Sequence, residues 1–238
     1  MANRRHKRLR THLVTGLLSL AVMFLLFSTL PQIYLWHSPD ATHSFESNFR
    51  ISLASGYVAL GLLALTLSLG VWRLLKTKKP TAIHFDLRRD VGIWAGIFAL
   101  LHSFAGLFVH MRSLPYSFLY YFFYEPQRNA TFPVRHDIFG FANYSGLAAA
   151  LLAVVLLAIS NDYSMRRFGR RRWKNWQRWN YALCALTALH ALLYVIIEMR
   201  PMALWITSIA VILLTAGLQL YGYFRFRRIR EKSDAILG

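Results

Sequence analysis

Six apolar stretches, each near the length that carries a helix across a hydrocarbon core, constrain this chain more than any other feature. A spanning helix needs about 20 predominantly apolar residues. The stretches cover residues 13–36, 51–75, 91–111, 138–160, 181–197 and 202–224. They occupy about half of the chain, and the connectors between them are too short for a separate soluble domain. The expected fold class is all-α: a polytopic membrane protein built as a six-transmembrane-helix bundle. A basic cytoplasmic leader at 1–12 precedes the bundle at 13–224, and a basic cytoplasmic tail at 225–238 follows it. No internal repeat or low-complexity tract is evident.

Composition excludes the competing classes. The chain is 56% hydrophobic yet carries 28 Lys and Arg against 10 Asp and Glu, a formal charge of +18. A soluble domain this apolar could not spread so many charges over its surface. Basic disordered or nucleic-acid-binding chains are poor in aliphatic and aromatic residues, so no nucleic-acid partner is expected. A single cysteine, Cys184, rules out a disulfide framework, a Cys-ligated zinc site and a thiolate-held iron–sulfur cluster. It sits mid-span among alanines and leucines and reads as a small packing residue. The first span ends in Pro31, Tyr34, Leu35 and Trp36, an interfacial aromatic ending and not a cleavage site, so it reads as a retained helix.

The cations set the orientation. Of the 28, 23 fall on the leader, the 73–89 and 166–178 loops and the tail, which alternate with the opposite loops. The other side holds only Arg50, Arg112, Arg128, Arg135 and Arg200. By the positive-inside rule the bundle is N-in/C-in, with both termini cytoplasmic.

Nine histidines are present, and five of them (His6, His12, His37, His43, His84) lie in the leader or the loops. His102, His110 and His190 lie in apolar surroundings, with His136 at a span boundary. Ionisable groups inside a membrane are costly and point to function. His102 is 13 residues beyond Arg89, and His190 is 12 beyond Arg178, on spans that run in the same direction. Both imidazoles therefore sit about 18–20 Å from the basic edge. Two neutral imidazoles at one depth are what the two axial positions of a b-type haem require. On the face of His102, Ala95, Ala99 and Gly106 either let a flat macrocycle approach the backbone or pack helix on helix. His110 is 8 residues beyond His102, where the fifth span has Glu198. With His136 it makes either a second metal site or a water-bonded interfacial pair.

Several motifs resemble one family. Arg88-Arg89-Asp90-Val91-Gly92-Ile93-Trp94 followed by Leu101-His102 is similar to the third helix of ferric-reductase-like transmembrane domains. The resemblance continues through Ala158-Ile159-Ser160-Asn161-Asp162, Met165-Arg166-Arg167-Phe168-Gly169, Trp173-Lys174 and Trp176-Gln177-Arg178-Trp179-Asn180-Tyr181, then His190. It covers about residues 55–220. That family includes the haem domains of ferric reductases and NADPH oxidases, and the membrane haem subunit of the periplasmic methionine-sulfoxide reductase system, which is closest in size and architecture. The resemblance implies haem b held by His102 and His190 and electron transfer across the cytoplasmic membrane of a bacterium. Many members carry a further histidine 13 positions before the fifth-helix ligand. Here Gln177 stands there, a poor iron ligand, so one haem is expected.

The sequence contains no G-x-G-x-x-G fingerprint, and about 14 residues follow the sixth span. The expected electron donor is therefore another molecule, reduced FMN or another flavin, a cytoplasmic flavin reductase or a dehydrogenase. The expected acceptor is a periplasmic or extracellular protein or small molecule. The cytoplasmic cations, among them Arg73, Lys76, Arg166 and Arg170, form either a docking surface for flavin phosphate or an acidic reductase, or a record of topology and anionic lipid alone. Arg89 and Arg178, nearest the helix mouths, are the candidates for propionate or flavin contact. The aromatic run from Tyr116 to Tyr124 is open between a re-entrant helix, a partner-docking patch, an electron exit and an aromatic belt. The rival reading is a non-redox polytopic protein such as a transporter subunit or assembly factor. An intramembrane protease is disfavoured because Tyr144-Ser145-Gly146 lacks the glycine two before the serine.

Overall fold

Hydrocarbon offers no water to a peptide group, so an apolar run of this length closes its hydrogen bonds along a helix. The computed structural model describes residues 2–37, 46–75, 82–109, 114–123 and 133–237. Its helices are α1 (Ala2–His37), α2 (Ser47–Leu75), α3 (Ala82–Leu107), α4 (Leu114–Phe122), α5 (Ile138–Ile159), α6 (Asp162–Phe168), α7 (Arg170–Gln177), α8 (Asn180–Ile197) and α9 (Met202–Leu237). Among the described residues there is no strand, only one isolated antiparallel bridge between Phe123 and Val134. Among the described residues six stretches are long and apolar enough to cross a membrane: Leu9–Trp36, Ser47–Trp72, Asp86–Leu107, Ile138–Ile159, Arg170–Ile197 and Met202–Ile229. Leu17, Phe24, Ile206 and Leu214 point outward on α1 and α9, each more than half exposed. Apolar faces of this length belong in lipid, and the protein is a helical integral membrane protein.

The helices overrun the apolar stretches. The leader continues into α1, and the tail continues α9 as far as Leu237. Lys and Arg are good helix formers whose stems lie along an apolar surface while the charge reaches outward, so polarity ends a span without ending its helix. Between α5 and α8 the basic segment folds into two short helices. Asn161 caps α6 by accepting from the Ser164 amide at 2.7 Å, and Gly169, at φ +77°, separates α6 from α7. A side chain there would be strained, which suits glycine. The Trp173 indole then donates to the Ile159 carbonyl at 2.8 Å, satisfying an orphan acceptor at the end of α5.

The core is two helix pairs, α2 with α3 and α5 with α8, joined through α3–α5 and α2–α8 contacts. Helix α1 lies on α2 and α3, while α9 lies on α2 and α8. Hydroxyls inside the spans return to their own helices: Thr66 to Leu62, Ser103 to Ala99 and Thr215 to Val211. We call one end of the bundle the basic end. There Arg88 donates to the Thr66 carbonyl at 3.1 Å, and Trp94 donates to the His12 carbonyl at 3.0 Å. The other, aromatic end is covered by α4: the Tyr121 hydroxyl donates to the Gly106 carbonyl at 2.7 Å, and Tyr144 donates to the Phe122 carbonyl at 2.8 Å.

Helix α1 reaches α3 because residue 16 is glycine. A Cβ there would fall 2.1 Å from Trp94 Cζ2, well inside van der Waals contact. Gly16→Ala is expected to cost about 1–3 kcal/mol, the usual price of overpacking. Thermal unfolding in detergent measures it against Gly217→Ala, where a Cβ meets nothing within 4 Å. Equal midpoints for the two variants would show that this contact does not hold α1 to the bundle.

Candidate functional site

A cavity of about 300 Å³ opens between α2, α3, α5 and α8, towards the aromatic end. Small residues form much of its wall: Gly56 and Ala59 on α2, Ala99 and Gly106 on α3, Gly146 and Ala149 on α5. Phe118, Tyr121 and Phe122 of α4 close it above, and Tyr57, Ser208, Glu198 and Arg200 give it one polar corner. Concave, mostly apolar volumes of this size with a few convergent polar groups are the usual form of a small-molecule site.

His102 from α3 and His190 from α8 both line this cavity, their ring centres 5.8 Å apart and their planes at 76°. His102 Nδ1 lies 2.8 Å from the Ser52 carbonyl, and His190 Nδ1 lies 2.8 Å from the Ala142 carbonyl. A carbonyl only accepts, so each Nδ1 carries the proton. Each Nε2 is then the lone-pair nitrogen, the tautomer in which histidine ligates a metal while its other nitrogen is anchored. A metal–imidazole bond is about 2.0–2.1 Å, so two rings sharing one metal stand about 6 Å apart centre to centre. Among the described residues no group of three or more His, Cys, Asp or Glu converges on one point. A metal between these imidazoles would need further donors from a ligand of its own, such as the ring of a macrocycle.

The same local device holds both imidazoles. On α2 the accepting carbonyl is residue 52, Ser55 Oγ also donates to it at 3.1 Å, and residue 56 is glycine. On α5 the carbonyl is residue 142, Ser145 Oγ donates to it at 2.8 Å, and residue 146 is glycine. A helical side chain covers the turn N-terminal to its own Cα, so a side chain at 56 or 146 would lie over the carbonyl four residues earlier. Cβ atoms built there fall 2.8 Å from His102 Nδ1 and 2.6 Å from His190 Nδ1. Glycine is what admits each ring to its carbonyl. Tyr194 packs its ring 4.9 Å from that of His190 and donates to Asn143 Oδ1 at 2.7 Å.

The remaining candidates take other places. Gly106 lines the cavity; Ala95 is buried but is not part of its wall. Arg89 is buried at the basic end, ion-paired with Asp162 and 3.8 Å from Asp86, outside the cavity wall. Arg178 is exposed at the α7–α8 junction, also away from the cavity. His136 is exposed, its Nδ1 3.4 Å from the Val134 carbonyl, and His110 lies outside the described residues. Gln177 accepts from Asn180 at 3.2 Å and stands 3.4 Å from Ser160 Oγ.

The sequence reading does not single out Gly56, Ser55, Ser52, Ala142 or Arg200. The signal for the first of these is the Ser-Gly dipeptide at 55–56 and again at 145–146, with a histidine 46 and 44 residues beyond each glycine. Ser145-Gly146, set aside as a poor nucleophile motif, belongs to that device. No protein-family model matches the chain, and no curated protein matches it.

Proposed function

We propose that the protein is a membrane electron carrier that holds one haem b between His102 and His190 and passes electrons across the bilayer. The observation that carries this reading is the pair of imidazoles, 5.8 Å apart, each with its Nδ1 anchored on the carbonyl of a neighbouring helix. Packing alone does not call for two such groups at one level in an apolar interior, where a polar side chain is costly. The donor chemistry and the glycine-cleared walls both fit an iron macrocycle. Haem, when bound, supplies reversible one-electron iron chemistry. The chain's part is to present the Nε2 nitrogens, fix their tautomer, and keep water out with α4 and the apolar wall.

The proposed orientation places the basic end in the cytoplasm with both termini there, as the distribution of cations along the sequence implies. The membrane is the cytoplasmic membrane of a bacterium on the ferric-reductase-like reading. Arg170, Arg171, Arg172, Lys174 and Arg178 are exposed on or beside α7 and form the proposed docking face for an anionic donor, a reduced flavin or a flavin-bearing reductase. The acceptor lies beyond α4.

Full-length protein purified in detergent from haem-replete cells is expected to show a Soret band, and dithionite should bring up an α-band. His102→Ala and His190→Ala should each abolish haem retention. Protein without a Soret band would remove the haem reading, and two haems per chain by pyridine haemochrome assay would remove the single-site one.

The glycines provide a finer test. Gly146→Ala should displace the imidazole from the Ala142 carbonyl and weaken haem affinity by roughly 10- to 100-fold, the usual cost of losing a group that orients a ligand. Gly61→Ala, where a Cβ meets nothing within 4 Å, should leave haem content unchanged. Haem titration of the two variants decides this, and unaltered binding by Gly146→Ala would show that the glycine does not serve the ring.

Orientation is checked separately by single-cysteine labelling in a Cys184→Ser background. Cysteines placed at Tyr163 and Arg171 should react only from the cytoplasmic side, and one at His136 only from the other side. The reverse pattern would invert the proposed direction of electron flow.

A further inference from the structure

The polar corner of the cavity contains a charge that its protein neighbours satisfy only in part. Arg200 lines the cavity with its side chain 11% exposed, and its Nε donates to Glu198 Oε2 at 2.8 Å. Among the described residues, Nη1 and Nη2 donate to no other group. A guanidinium held this far from solvent, with its Nη edge on a cavity, is a ready donor for an acceptor placed there. The backbone is bent to keep it there. Met199, just before it, holds φ at +41°, a left-handed conformation that is unfavourable for a residue with a side chain. That residue points outward, 83% exposed, while Glu198 and Arg200 on either side of it turn into the cavity.

The corner lies beside the imidazoles. Arg200 Cζ is 6.0 Å from the ring of Tyr194, whose ring in turn packs 4.9 Å from His190. Tyr57 completes the corner, its hydroxyl 3.0 Å from Ser208 Oγ and 3.2 Å from the Leu204 carbonyl. A ligand that fits this volume has an apolar body against the small-residue wall and an anionic, planar head within reach of the Nη edge. Guanidinium pairs with carboxylate in that geometry, through two parallel hydrogen bonds.

We propose that Arg200 is a ligand-anchoring residue whose Nη edge takes a carboxylate of the bound cofactor, setting haem with a propionate towards the aromatic end of the bundle. This rests on the haem reading above. Glu198 keeps the guanidinium oriented through Nε and leaves the opposite edge for the ligand. A guanidinium that served only to hold the α8–α9 turn would act alike on every form of the ligand, so the ligand's own carboxylates provide the test.

Full-length protein produced under haem limitation is titrated with haemin and with haemin dimethyl ester, which has the same ring and iron but no carboxylates. Wild type is expected to bind haemin about 10- to 100-fold more tightly than the ester, the range for a hydrogen bond to a charged group. Arg200→Leu should erase that preference by weakening haemin while leaving the ester unchanged, and Arg200→Lys should restore part of it. Equal affinity of wild type for both forms would overturn the proposal with no variant needed. So would a preference that survives in Arg200→Leu, or a loss equal for both forms. A wild-type chain that binds neither compound would instead bring down the haem reading itself, and the anchoring role with it.

Discussion

The carbonyls of Ser52 and Ala142 each accept from an imidazole on the neighbouring helix, and those two bonds set the terms for the rest of the bundle. An imidazole taken out of water must keep its N–H satisfied, and in this apolar cavity the nearest acceptor is a helix backbone. A helical side chain leans over the carbonyl four residues before it, and at these two carbonyls the residue in that place is glycine, which leaves room for a whole ring. One bond therefore requires a histidine on one helix, a glycine on the next, and backbones close enough for 2.8 Å contact. The two helix pairs joined in this way, α2 with α3 and α5 with α8, are also those with the most extensive contact in the protein.

Register follows from the same bonds. Sliding α3 along α2 by one residue moves it about 1.5 Å, enough to break a hydrogen bond of normal length. Apolar spans packed through small residues can slip, because leucine against alanine is much the same one residue further on. A directed polar contact in the middle of each pair removes that freedom. Ion pairs and indole bonds do the same work at the basic end, where Arg89 meets Asp162, and Trp94 and Trp173 donate to carbonyls of His12 and Ile159. The aromatic end is held by Tyr121 and Tyr144 through α4.

The spans were legible because lipid imposes a length and a polarity on each helix, and both are written in a single stretch of chain. Bringing His102 and His190 to one level needed only residue counts from Arg89 and Arg178 and a fixed rise per residue. The glycine–carbonyl device was not legible in that way. It joins residues 46 and 44 positions apart on different helices, and a glycine in a membrane helix has many other uses. Arg89 is a different case: its position at a helix mouth was legible, while its acidic partners, from α6 and from the preceding turn of α3, were not. Arg200 was hidden because a lone cation in a short connector looks like surface, and only the turn at Met199 directs it inward.

The site is also unevenly placed along the bundle. His102 is 12 residues from Asp90 but only 5 from Leu107, so by helical rise it lies about 18 Å from one and about 7.5 Å from the other. The longer half is filled with large side chains, Phe98 almost wholly buried and Trp94 packed against it at 6.1 Å. At its mouth the Gln177 amide is engaged with Asn180. An electron entering from the basic end would thus cross the dense half of the protein, and one leaving at the aromatic end would pass only beneath α4. On the proposed reading, the slow step and its dependence on the donor belong to the basic half. On the same reading the aromatic half, with its cavity, polar corner and short covering helix, would decide what the electron reaches.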